Sequence, residues 1–171
     1  MRLNFLYILS IYILFSLIPV YSLDSKFIPI NREIKINQEM IVLDGEVNNK
    51  KFVLKNIEKL TIVNFWASWC KPCVAEIEEL NNFQNYIIQE KLDVTLLGIN
   101  IFDRLDDASK FYLKHQPFFE MIFDKERTIS IEFAVAGVPE TFFIKDNKIL
   151  FKYVGKIDKE ILKEGYDEAI K

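Results

Sequence analysis

Cysteine is scarce in this sequence, with two residues in 171, and histidine is scarcer, with one. A zinc site needs about four nitrogen or sulfur ligands. Cys70, Cys73 and His115 fall short of that number, so no metal centre is expected. A framework of structural disulfides is excluded by the same count. A single bridge between Cys70 and Cys73 closes too short a loop to remove much unfolded-state entropy. An excess of positive charge is missing as well. The 22 Lys and Arg stand against 25 Asp and Glu, the net charge is −3 and the pI is about 5.3. Nucleic-acid binding is therefore not expected. Charges alternate in sign along the chain, as on solvated helix faces, and there are no repeats or low-complexity tracts.

The two cysteines are placed for chemistry. They lie in Trp69-Cys70-Lys71-Pro72-Cys73, between a strand-like run, Leu60 to Trp66, and a helix-like run, Val74 to Glu90. Strand, Cys-x-x-Cys, helix is the context of a thiol redox pair. The unpaired N–H groups and positive dipole end of a helix N-terminus favour an anion. Cys70 is thus the expected attacking thiolate, and Cys73, one turn in, the buried resolving thiol. The redox group is the Cys70–Cys73 pair itself, with no further cofactor expected.

Leu3 to Tyr21 is almost entirely apolar or aromatic, with Arg2 before it. It reads as an export signal or, preferentially, an uncleaved membrane anchor, with Ser22 as the alternative cleavage point. Residues 1–22 are assigned to this segment, 23–38 to a linker and 39–171 to one redox domain. In an exported protein, cysteines persist as disulfides, and a chain with only one adjacent pair suits a thiol catalyst.

Met40 to Asn56 reads as a β-hairpin, with strands Ile41–Leu43 and Lys51–Leu54 and turn chemistry in Asp44-Gly45 and Asn48-Asn49. Leu60–Trp66 lacks alternation, as expected of a strand buried on both faces. Ile77, Leu80, Phe83, Ile87 and Ile88 form a core-facing helical stripe. Buried strand Asp93–Ile101, helix Asp106–His115, strand Glu120–Phe123 and helix Arg127–Val135 follow. Strands Phe142–Lys145 and Ile149–Val154 come next, and a helix from Asp158, its N-cap, closes the chain. Strands and helices alternate, so the class is α/β. His115, at a helix end, reads as a surface residue favouring the dipole.

Cys70-Lys71-Pro72-Cys73 together with Gly137-Val138-Pro139-Glu140-Thr141-Phe142 resembles the thioredoxin superfamily. The entry Asn64-Phe65-Trp66-Ala67-Ser68-Trp69-Cys70 is similar to that of the membrane-anchored TlpA/ResA/DsbE (CcmG) group, and Gly98-Ile99-Asn100 with Asp103 leans toward the DsbE branch. The resemblance covers about Asp44 to the C-terminus. It implies a thioredoxin-like fold, a central mixed sheet flanked by helices, with an N-terminal β-hairpin and a helix–strand insertion over about Asp103–Phe123. It implies that Pro139 is cis, bringing the backbone of Val138 beside Cys70 to pair with a substrate strand. Trp69 would form an apolar rim, and Glu140 would stand at the site or as a solvated strand-edge charge.

The same resemblance places an acidic residue at Glu76, one turn from Cys73. A buried carboxylate there would have a raised pKa and could exchange a proton with Cys73. The implied activity is reduction of disulfides in apocytochrome c haem-binding motifs. A DsbD- or CcdA-like membrane thiol donor would supply electrons, and the site would face the periplasm from the bacterial inner membrane. Two alternatives stay open: a TlpA-like reductase for another exported client, such as a copper chaperone, and a non-catalytic apocytochrome- or haem-binding module. A peroxidase is disfavoured, since no Thr-x-x-Cys pattern occurs.

Overall fold

The computed structural model describes residues 26–44 and 50–171. The apolar segment over 1–22 and the hairpin turn residues Gly45, Asn48 and Asn49 lie outside the described residues. Among the described residues eight strands form one mixed sheet: β1 Ile28–Glu33, β2 Asn37–Val42, β3 Lys51–Lys55, β4 Thr61–Trp66, β5 Thr95–Asn100, β6 Glu120–Phe123, β7 Glu140–Lys145 and β8 Lys148–Val154. Their order across the sheet is β1-β8-β7-β4-β5-β6-β2-β3. The central strands β4, β5 and β6 run parallel, and β7 lies antiparallel to β4. Among the described residues there are four helices: α1 Lys71–Glu90, α2 Leu105–His115, α3 Thr128–Glu132 and α4 Lys159–Ala169. The expected hairpin is β2–β3, the inserted helix and strand are α2 and β6, and the class is α/β, thioredoxin-like, as expected.

Strand β4 is the axis of the molecule. All six of its residues are buried, and its period of two divides them between two cores. Ile62 and Trp66 join the cluster that holds Leu80, Phe83 and Ile87 of α1, Phe111 of α2 and Leu162 of α4. Val63 and Phe65 join the opposite cluster, with Ile129 of α3, Phe142 and Ile122. Asn64 shares the α1 face with Ile62 and Trp66, the one polar side chain in that row, and the site below depends on it. Gly98 of β5 is fixed by close approach. A Cβ there would stand 3.3 Å from the Trp66 indole nitrogen and far inside contact distance of Met121 Sδ.

The linker expected over 23–38 needs correction. Ile28–Glu33 forms β1, antiparallel to β8, and β2 begins at Asn37. Strand β1 is a sheet edge, so Pro29 can sit in it without costing a ladder hydrogen bond. Only Ile30 of β1 is even half-buried, so the segment lacks the alternation that marks a strand. Its docking comes instead from Phe27 before it, whose ring lies 5.0 Å from Phe151 and 5.6 Å from Phe143.

Candidate active site

Strand β4 ends at Trp66, and the chain turns through Ala67, Ser68 and Trp69 into α1. Cys70 is the N-cap residue of α1, in extended backbone conformation, and Pro72 occupies the first turn, where its missing N–H removes a donor that would be orphaned anyway. The Sγ of Cys70 accepts from the backbone N–H of Cys73 at 3.2 Å. Cys70 and Cys73 are joined as a disulfide, with Cα atoms 5.2 Å apart. The first turn of α1 carries no acidic side chain, so no fixed negative charge there opposes an anion at Cys70. Cys73 is fully buried at 0% and Cys70 retains 3% exposure. The aperture at the helix N-terminus is thus narrower than the sequence suggests, and it opens on Cys70.

Glu76 is fully buried. Its Oε1 accepts from Asn64 Nδ2 at 2.9 Å and its Oε2 from the backbone N–H of Ile157 at 2.9 Å. Burial pushes its pKa up to about 7; the hydrogen bonds from Ile157 and Asn64, and the Lys156 charge, pull the other way and only partly offset it. Asn64 uses its second amide hydrogen on Thr141 Oγ1, at 3.1 Å. One buried chain of hydrogen bonds therefore links α1 to β7 and to the loop before α4.

Val138–Pro139 is a cis peptide bond. Pro139 is buried and Val138 half-buried, packed against the cluster that contains Cys70 and Cys73. Among the described residues, neither the N–H nor the C=O of Val138 has a hydrogen-bond partner. Trp69 is exposed at 62%, and its Nε1 donates to the Phe102 carbonyl at 3.1 Å. Phe102 is itself exposed, so the rim of the site is aromatic.

Glu140 departs from the picture of a solvated edge charge. Strand β7 is interior to the sheet, Glu140 is 2% exposed, and its Oε2 accepts from Lys152 Nζ at 2.9 Å. The pair is the diagonal neighbour set by the β7–β8 register. His115 does not stand clear in solvent either. It is half-buried with its ring 4.5 Å from that of Phe111, and burial, helped by Lys114, lowers its pKa. Asn64, Thr141, Ser68, Asn100, Asp103 and the Ile157 backbone complete the surroundings of the cysteines without having been singled out as site residues. The sequence signals for Asn64 were its polarity inside the buried strand β4 and its place at the head of the Asn64–Cys70 run. Among the described residues no group of three or more His, Cys, Asp or Glu is placed to hold a metal ion.

A sheet whose central strand delivers a Cys-x-x-Cys pair to a helix N-terminus, with a cis-proline just before β7, is the layout of thioredoxin-like thiol:disulfide oxidoreductases, and that is the class of this chain. More particularly, the chain belongs to the AhpC/TSA family, whose model matches residues 36–152. The thiol:disulfide interchange protein HelX of Rhodobacter capsulatus is 31% identical over 114 residues, 66% of this chain and 61% of HelX. The thiol-disulfide oxidoreductase ResA of Bacillus cereus is 31% identical over 128 residues, 73% of this chain and 72% of ResA. Among solved structures, a DsbF homologue from Corynebacterium diphtheriae superposes with a TM-score of 0.67 at 16% identity, over 86% of this chain and 95% of that one. At that identity the likeness is one of fold.

Proposed function

We propose that this chain is an exported, membrane-anchored reductant whose preferred client is apocytochrome c, oxidised at its haem-binding Cys-x-x-Cys-His motif. The observation that carries the reading is the unpaired backbone of Val138 beside cis-Pro139, packed on the cluster that holds the Cys70–Cys73 pair. An extended client strand would pair with that N–H and C=O, between the Trp69 rim and Cys70, with Glu140 fixing the start of β7. The resemblance of Gly98-Ile99-Asn100, Asp103 and Pro139-Glu140-Thr141-Phe142 to the DsbE branch supports the choice of client. The apolar run over Leu3–Tyr21 supports export and anchoring, with the domain facing the periplasm. No helix among the described residues is long and apolar enough to cross a membrane.

In the forward reaction the Cys70 thiolate attacks one sulfur of the client disulfide. The client S–S bond breaks, a mixed disulfide forms, and the released client thiolate takes a proton. Cys73 passes its proton to the Glu76 carboxylate and attacks Cys70 Sγ. The second client thiolate leaves and the Cys70–Cys73 bond forms. Two electrons have passed to the client, and a membrane dithiol donor of the DsbD or CcdA kind would return the pair to the reduced state. The pair is the only redox group the cycle requires.

The experiment compares rates of reduction of an oxidised Cys-x-x-Cys-His peptide and of insulin by the same reduced protein. The reading expects the peptide to react at least about tenfold faster, since a site that recognises one strand discriminates by backbone fit. Equal rates would support a thioredoxin-like reductase of broad specificity. Full function in a Cys70→Ser variant would support the non-catalytic haem- or apocytochrome-binding module.

A further inference from the structure

The turn that presents Cys70 is fastened to the β5–α2 connection by a set of contacts that the redox chemistry does not use. Trp66 C=O accepts from Ile101 N–H at 2.9 Å. Asp103 accepts three hydrogen bonds: Oδ2 from the Ser68 backbone N–H at 2.5 Å and from Asn100 Nδ2 at 2.8 Å, and Oδ1 from Ser68 Oγ at 2.8 Å. Phe102, held at a φ of +58°, turns its carbonyl to Trp69 Nε1. A non-glycine residue in that region is strained and persists only where the surroundings demand it. Two residues before Cys70, the chain is thus gripped at its backbone and at its side chain by one carboxylate.

We infer that Asp103 is a positioning residue for the redox pair. By clasping Ser68 it holds the turn Ala67–Trp69, and so keeps Cys70 Sγ at the N-terminus of α1 and within bonding reach of Cys73. The inference rests on the reading of Cys70 and Cys73 as the working pair. Its physical content is preorganisation. Two thiols held in geometry close a disulfide with a high effective concentration, and loosening one of them lowers it. Asp103 is suited to the role because both its oxygens are engaged by donors fixed in other elements. Asn100 sits at the end of β5, in register with Trp66, so it anchors the carboxylate to the sheet.

Hydrogen bonding and charge make different demands of this site, and an asparagine separates them. In Asp103→Asn the amide oxygen can take the place of Oδ2 toward Ser68 N–H and Asn100 Nδ2, while the amide nitrogen donates to Ser68 Oγ, which can accept. The clasp survives and the charge is lost. In Asp103→Ala both are lost.

The test equilibrates wild type, Asp103→Ala and Asp103→Asn with glutathione at pH 7. In that exchange the S–S bond of oxidised glutathione breaks, the Cys70–Cys73 bond forms, and two glutathione thiols take up the protons. Alkylation and mass spectrometry read the oxidised fraction, and circular dichroism with thermal melting reads the fold. Asp103→Ala is expected to lower the equilibrium constant for ring closure about tenfold, which raises the midpoint potential by about 30 mV. Asp103→Asn is expected to stay within about threefold of wild type, since its hydrogen bonds are retained. A lowered melting temperature with an unmoved potential in Asp103→Ala would mean a merely structural role and overturn the inference. Equal shifts in both variants would assign the effect to charge and also overturn it. Should Asp103→Ala not fold, Ser68→Ala carries the test: loss of the Oγ bond alone is expected to lower the constant about threefold, and no change would overturn the inference. Labelling that identified Cys73 as the reactive thiol in the wild type would instead defeat the underlying assignment of the pair.

Discussion

Cys73 and Glu76 stand one helical turn apart on α1, and both are wholly shielded from water. The only acidic side chain of that turn to be buried is the one on the cysteine's face. Glu76 is kept there by donors from two other elements, Asn64 of β4 and the Ile157 backbone. These bonds favour the carboxylate and burial favours the acid; burial wins, and the group titrates at about 7. A base whose pKa lies near the working pH is able both to take a proton and to return it.

This conflict makes stability depend on pH in a stated direction. The Glu76 pKa rises from its ordinary 4.5 to about 7 on folding. Between those values the folded protein holds a proton that the unfolded chain has released, so its contribution falls as pH rises through that window and stays low above it. At 1.36 kcal/mol per unit the loss is about 3 kcal/mol. Urea denaturation of the oxidised protein from pH 4.5 to 8 should show this decline in the wild type and a flatter profile in Glu76→Gln. Parallel profiles would mean that Glu76 does not titrate in this window.

The same substitution should separate the two chemical steps. Glu76→Gln keeps the side-chain volume and removes the proton acceptor. Attack by Cys70 on an oxidised peptide should proceed at close to the wild-type rate, while release from the mixed disulfide slows by about 10²-fold, the usual contribution of a general base. Stopped-flow fluorescence of Trp66 and Trp69 across pH follows both phases. Superimposable profiles for wild type and variant would reduce Glu76 to a structural residue.

In the reduced protein Cys70 should alkylate much faster than Cys73, because only Cys70 retains exposure and only it caps the helix. Brief treatment with iodoacetamide followed by peptide mass spectrometry checks this. Preference for Cys73 would exchange the roles of nucleophile and resolver.

Buried Glu140 and half-buried Lys152 form an ion pair at 2.9 Å, with Lys152 Nζ also 5.3 Å from the Phe142 ring centroid. Lys152→Met should destabilise the domain by about 3 kcal/mol, because it leaves the Glu140 charge buried without its partner. The double variant Glu140→Gln/Lys152→Met should recover most of that loss. Chemical denaturation of the three proteins tests it; a single variant as stable as wild type would show that Glu140 is solvated by other means.

Much of this was legible in the residues. The unalternating run Leu60–Trp66, the stripe Ile77, Leu80, Phe83 and Ile87, and the Asp158 cap each carry a local signal, and each appears in the structure where its period or chemistry puts it. Ile88, expected in the same stripe, is 63% exposed instead, because adjacent residues lie about 100° apart on a helix and Ile87 takes the inward face. Strand β1 was hidden because an exposed edge buries too little to impose a pattern. The partners of the site residues were hidden for another reason. Asn64 with Glu76, Ser68 with Asp103, Glu140 with Lys152 and Glu76 with Ile157 are 12 to 81 residues apart, and only the sheet register and the packing of α1 on β4 bring them together. A carboxylate in a sequence shows no sign of whether it will be solvated or enclosed. Glu140 and Glu76, both enclosed, differ only in what encloses them: a lysine in one case, neutral donors in the other.

The most direct test of the account is a trap. A Cys73→Ser variant, reduced and mixed with an oxidised Cys-x-x-Cys-His peptide, lacks the resolving thiol and should accumulate a mixed disulfide. Intact-mass and peptide mapping should find one peptide bound per protein, bonded to Cys70 and released by dithiothreitol. Absence of the adduct, or an adduct forming instead on Cys73 in the Cys70→Ser variant, would contradict the account.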